Sequence, residues 1–202
     1  ALSDGDVQLS NIITERIDHL INIPVLKNHP MAGVTLSLKN HFGSINLPQS
    51  LHGDDRDCCP GITEVNLLAE IRDRTRLVLI DALFGTYTSG ILSKPDWAPM
   101  TLIAARDPVA ADSVGQEVIN TRRAEDGLAP IDARHLTEAA SQGLGHHQAA
   151  SIDVRAIVIK APPQKTKPWL PTDGTGEECG CSSSSSATVG AALTAGGFLL
   201  HQ

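Results

Sequence analysis

Aromatic residues make up only 3% of this 202-residue chain, which removes the stacking platforms that single-stranded nucleic acids need. No Lys/Arg-rich run is present and the formal charge is -7 at pH 7. A phosphate backbone requires a basic patch, so nucleic acid is excluded as a partner. The common fingerprints G-x-G-x-x-G, Walker A, G-x-S-x-G and H-E-x-x-H are all missing, which removes the usual dinucleotide, nucleotide, serine-hydrolase and zincin readings. The four cysteines fall as Cys58 with Cys59 and Cys179 with Cys181, without the paired C-x-x-C spacing of a zinc or iron-sulfur site. Neighbouring cysteines close only a strained ring, so Cys58 and Cys59 are expected to stay reduced or to pair elsewhere. The opening segment ALSDGDVQLS has no initiating Met, no basic n-region and no apolar h-region. The expectation is a processed or partial piece that lacks upstream strands.

What remains is an ordinary globular composition, 41% apolar, long enough for one substantial domain and a tail. Ile12, Ile13 and Ile17 suggest a short helix, and HLINIPVLK reads as a strand near an edge, because Pro24 cannot donate to a ladder. PMAGVTLSLKN has Pro30 at a good first helical position and a Met/Val/Leu face, so a helix or helical turn is expected there. A loop rich in Gly, Pro, Asp and Ser runs from His41 to Gly61. TEVNLLAEIRDRT reads as a helix that feeds RLVLIDAL, an apolar run typical of a buried parallel strand. MTLIAA repeats the pattern and leads into RDPVAADSVGQEVINTRR, with Asp107 as N-cap and Pro108 at N1. ARHLTEAASQGLG is a helix closed by Gly143, and SIDVRAIVIK an alternating strand.

Alternation of this kind implies an α/β fold: a mostly parallel sheet flanked by helices in a single domain over residues 1–160. Residues 161–186 are Pro-, Gly- and Ser-rich and read as a linker. Residues 187–202 are apolar but shorter than the ~20 residues of a membrane-spanning helix.

Ligands in open α/β sheets sit beyond the carboxyl ends of the strands. Lys27, Asn28 and His29 follow the first strand, Asp81 ends the second, and Arg106 with Asp107 follow the third; in a parallel sheet these converge on one rim. Lys39, Asn40 and His41 repeat the Lys-Asn-His of residues 27–29, and His52 lies in the next loop. Lysines and imidazoles beside carboxylates suit an anionic small molecule or acid-base work on it, and His with Asp suits a divalent metal. Lys27, His29 and Asp81 are therefore the candidate catalytic residues. Lys39, Asn40, Asp107 and Asp112 are candidate ligand-binding residues, and His29, His41 and His52 candidate metal ligands. Structural roles compete: His29 could cap the turn before Pro30, His41 could sit at a helix C-terminus, Asp107 could be a helix cap, and Asp112 could face solvent. His146 and His147 are expected to be exposed.

The segment NIPVLKNHPMAGVTLSLKNHFGSI, the later LVLIDALFG and ARDPVAADSVG, and LTEAASQGLG near the last strand resemble the DUF362 family. Its members carry K-x-H, T-x-x-x-K-N-x-x-G, I-D-A/G and D-x-V-A-x-D motifs in this order. The resemblance covers roughly residues 18–160 and places family positions on Lys27, His29, Lys39, Asn40, Gly43, His52, Asp81, Gly85, Asp107 and Asp112. It implies a domain of uncertain function, sometimes associated with iron-sulfur ferredoxin modules and hence with a redox protein partner. No ferredoxin-type cysteine run is present, so an iron-sulfur cluster held by this chain alone is not expected. The tail ECGCSSSSSATVGAALTAGGFLL is similar to Cys-Gly-Cys sorting tails of myxobacterial surface proteins, without their basic end. That implies export to the cell envelope or surface with Cys179 or Cys181 as an anchoring site; without such a signal the location would be cytoplasmic. The functional expectation is a rim site for a metal or small anionic ligand, with a non-catalytic redox-accessory or partner-binding role as the alternative.

Overall fold

The computed structural model describes residues 2–52, 57–88 and 93–159, together with the strand backbone of residues 196–201. Cys179, Cys181 and the linker lie outside the described residues. The elements in chain order begin with α1 (Asn11–Glu15), β1 (Leu20–Asn22), β2 (Val25–His29), β3 (Gly33–Thr35) and α2 (Ser37–Asn40). Two 3-10 turns at His41–Ser44 and Pro48–His52 lead to α3 (Gly61–Leu67), α4 (Ala69–Arg72), β4 (Thr75–Thr86) and β5 (Thr101–Ala105). Then come α5 (Pro108–Glu125), α6 (Arg134–Ser141), β6 (Asp153–Val158) and β7 (Gly196–His201). The fold is α/β. The seven-stranded sheet runs β3-β2-β4-β5-β7-β6, and β1 also pairs with β4.

The pairing is mixed. β4 is parallel to β1 and β2 but antiparallel to β5, with Val78 opposite Ala105 and Ala82 opposite Thr101. β5 is parallel to β7, while β2–β3 and β6–β7 are antiparallel. Side chains alternate across β4: Val78, Ile80 and Ala82 are buried beneath the helices with Leu26, Ile103, Val109 and Ile119. Because paired residues share a face, Ile21, Val25, Leu83 and Leu102 point the other way and are exposed. Among the described residues no helix is long and apolar enough to cross a membrane.

Local chemistry explains the element that positions the site. Asp107 caps α5, its Oδ1 accepting from Ala110 N–H at 2.9 Å with Pro108 behind it. Gly115 then lets α5 approach the sheet, since a Cβ there would lie 2.7 Å from Leu36 Cδ1.

Three local expectations need correction. The residues 30–40 are not one helix: Gly33 at φ 78° turns the chain into the β2–β3 hairpin, and only residues 37–40 coil. HLINIPVLK forms two strands broken at Ile23–Pro24, and β2 lies inside the sheet between β3 and β4. TEVNLLAEIRDRT likewise splits into α3 and α4 at Leu68, whose ψ of 131° leaves the helical region.

Candidate functional site

The antiparallel β4–β5 pair divides the expected rim. Asp107 follows β5 and so lies beside the start of β4, where Asn22 pairs with Val78. Lys27 pairs instead with Thr86 at the far end of β4. Five residues, broken at Ile23–Pro24, carry the chain from Asn22 to Lys27, a reach of up to roughly 16 Å at ~3.3 Å per residue. The short helix α2 bridges the two ends.

On one side of α2 lies Asp112, fully buried on α5, not solvent-facing. Its Oδ1 accepts from Ser37 N–H at 2.8 Å and Ser37 Oγ–H at 2.6 Å, and its Oδ2 accepts from Leu38 N–H at 2.9 Å. The carboxylate thus caps the start of α2, whose amides have no partners within so short a helix. Burial pushes its pKa up to about 7, against the hydrogen bonds, which lower it. Asn22 continues the network: its Nδ2 donates to Ser37 O at 2.8 Å and to His41 Nε2 at 3.1 Å, and its Oδ1 accepts from Asn40 Nδ2 at 2.8 Å. His41 Nδ1 faces Ser44 Oγ at 3.3 Å, so its proton sits on Nδ1, and burial depresses its pKa to about 4. Asn40, His41 and Asp112 therefore hold the scaffold.

On the other side of α2 lies Lys39, also buried. Its ammonium sits 4.2 Å above the centre of the Phe42 ring, and Phe42 meets the His52 ring edge-on at 5.6 Å. Burial lowers the Lys39 pKa and nearby Lys27 lowers it further, while Cys58 opposes this by charge and hydrogen bonding. The Cys58 thiol pKa is itself raised, mainly by burial, while the charge and hydrogen bond of Lys39 lower it. His29 Nδ1 accepts from the N–H groups of Met31 at 3.1 Å and Ala32 at 3.0 Å, so the neutral ring carries its proton on Nε2. Its pKa falls to about 4 through burial first, then Lys39, His52 and Lys27. The structural role foreseen for His29, capping the turn at Pro30, is real, and it leaves Nε2 as the nitrogen that carries the proton.

One member of this cluster was missed from the sequence. His135 on α6 is fully buried, and neither ring nitrogen has a hydrogen-bond partner. Burial first and then Lys39 bring its pKa to about 4, with His29 adding to them, while the Asp57 carboxylate and the Ala32 carbonyl favour the protonated form. His135 precedes the buried Leu136 and stands one turn before the buried Ala139, a spacing that could have placed it inward.

Asp81 joins neither side. It lies within β4, paired with Val25 and Leu102 on the sheet face away from α5, and its Oδ1 accepts from Leu83 N–H at 3.0 Å. No hydrogen bond or ion pair connects it to Lys27 or His29 among the described residues. Near Cys58, Cys59 donates its thiol to Glu138 Oε2, and Arg134 pairs with Asp57 at 2.9 Å.

The profile of DUF362, a domain of unknown function, matches residues 5–117. The chain belongs to the DUF362 family. The match contains every motif position from Lys27 to Asp112, whereas His135 and His146 lie beyond it. No curated protein and no solved structure matches this chain. As for a metal, no three His, Cys, Asp or Glu side chains come together in a group able to hold one among the described residues. His29, His41 and His52 thus do not converge, since His41 is committed to Asn22 and Ser44 on the other side of α2.

Proposed function

We propose that this DUF362 chain binds a small anionic molecule, a carboxylate or phosphate, at the Lys39 cluster. A single observation carries the reading: the Lys39 ammonium is buried among Lys27, His29 and His135 with no carboxylate within ion-pairing distance among the described residues. Burying a cation with only a thiol and an aromatic face beside it costs several kcal/mol in order of magnitude. A bound anion would offset that cost, with Lys39 and Lys27 supplying charge and His29 Nε2–H a directed donor. The same groups repel a cation, which favours an anion over the metal alternative. The neutral imidazoles of His29 and His135 are suited to exchange protons with a bound acid.

Calorimetric titration of the whole chain with inorganic phosphate and with acetate tests this. Saturable binding to the wild type, weakened about tenfold or more in Lys39→Met (about 1.4 kcal/mol), is the expected result. Equal affinity in the two proteins would refute the site. The Cys-Gly-Cys tail supports a place in the cell envelope for this function, and fractionation of the native cells with detection of the chain in the cytosol alone would oppose it.

A further inference from the structure

The other side of α2 holds a cavity of about 290 Å³, at the small end of ligand-binding clefts. Its walls come from the start of β4, the junction of β5 with α5, and the loop after α6. The loop is built for this position. Gly143 takes φ 77° to leave α6, and Gly145 passes so close to Asp107 that a Cβ would lie 1.9 Å from Oδ1. Asp107 Oδ2 accepts both from the backbone N–H of His146 at 2.8 Å and from its ring Nδ1 at 3.0 Å. The imidazole is thereby oriented at the cavity wall by a carboxylate that also caps α5.

Most polar groups in the cavity wall are already engaged. Asn22 and His41 are committed to each other and to α2, and Arg72 pairs with Asp73 at 2.7 Å. Arg106 differs: it lines the cavity, is exposed, and makes no hydrogen bond or ion pair among the described residues. Beside it, Asn66 uses Nδ2 to hold Leu38 O at 2.9 Å and Ile62 O at 2.8 Å, which leaves its Oδ1 as an acceptor facing the same space. The start of α5 offers no competing anion site, because Asp107 occupies it.

We infer that this cavity is a second binding site, taking a small organic acid or phosphate ester whose anionic end pairs with Arg106 and whose hydroxyl or amine end donates to Asn66. Arg106 presents a planar fork suited to bidentate capture of either anion, and the volume limits the ligand to a compact metabolite. The site stands apart from the Lys39 cluster and does not depend on it.

The test follows the histidine imidazole ¹⁵N signals of the whole chain during titration with malonate and, separately, with inorganic phosphate. The expected result is a saturable displacement of the His146 signals by at least one of these anions, weakened at least tenfold in Arg106→Gln, partly restored in Arg106→Lys, and retained in Lys39→Met. The more strongly bound probe identifies the carboxylate or phosphate class. Absence of any His146 response to both anions, or an unchanged response in Arg106→Gln, overturns the proposal. Movement of the His29 signals alone, lost in Lys39→Met, also overturns it and leaves the Lys39 reading standing.

Discussion

Asp112 and Lys39 are both buried against α2, at 0% and 7% exposure, yet their surroundings are opposite. The carboxylate receives three hydrogen bonds from Ser37 and Leu38 and so supports the helix it caps. The ammonium meets an aromatic face, the Cys58 thiol and further basic groups. A buried polar group that is fully satisfied is explained by the fold. One that is buried without a carboxylate partner among the described residues is not explained by the fold in the same way, and it is there that the proposed anion would bind. The contrast separates motif positions that hold the scaffold from those that the proposed binding would use.

The largest expected effect falls on the structural side. Asp112→Ala leaves two backbone amides buried without acceptors and the Ser37 hydroxyl with only the Pro108 carbonyl at 3.2 Å, and should cost about 3–5 kcal/mol in urea unfolding. A loss under 1 kcal/mol would mean that α2 does not depend on this cap. Gly145→Ala comes next: its Cβ must push Asp107 or the loop aside, at about 1–3 kcal/mol, with the His146 ring released from its orientation. An unchanged melting temperature and unchanged His146 signals would contradict the close approach.

Acid should act in opposite senses on the buried histidines and on Asp112. His29, His41 and His135 have pKa values depressed to about 4, so the unfolded chain takes up protons below about 6.5 that the folded chain refuses until about 4. Their contribution is present above pH 6.5 and is lost on acidification. Asp112, raised to about 7, acts in the opposite sense, since the folded chain binds its proton first between about 4 and 7. Three histidines outweigh one carboxyl, and the melting temperature should fall from pH 6.5 to pH 4. His135→Phe should shrink that fall by on the order of 1–2 kcal/mol at pH 5. An identical pH profile for the variant would show that His135 is not the buried neutral ring described.

Much of the fold was legible because local rules agreed with it. Asp107 and Pro108 start α5, Gly143 ends α6, and the apolar runs of β4 and β5 are strands. The rim was not legible, because strand direction is not encoded in an apolar run. The antiparallel β5 moved Asp107 away from Lys27, and twelve-residue β4 carried Asp81 onto the wrong face. Asp112 was misjudged although its partners at i+3 and i+7, Gly115 and Ile119, are buried on the same stripe. Its small, polar neighbourhood hid that stripe. The repeated Lys-Asn-His was informative in a different way from repetition: the first copy supplies Lys27 and His29 to one cluster, while the second divides, sending Lys39 to that cluster and Asn40 with His41 to the Asp112 network.

Lys39→Met offers the most direct test of the claim that the cluster is kept for an anion. The substitution keeps the length of the side chain and removes its charge, so the variant should be as stable as the wild type or more stable by about 1 kcal/mol in the absence of anion. In the same preparation, the stabilisation that inorganic phosphate gives the wild type should disappear. A variant that unfolds more easily than the wild type without anion, yet is stabilised equally by phosphate, would show that Lys39 serves the scaffold as Asp112 does.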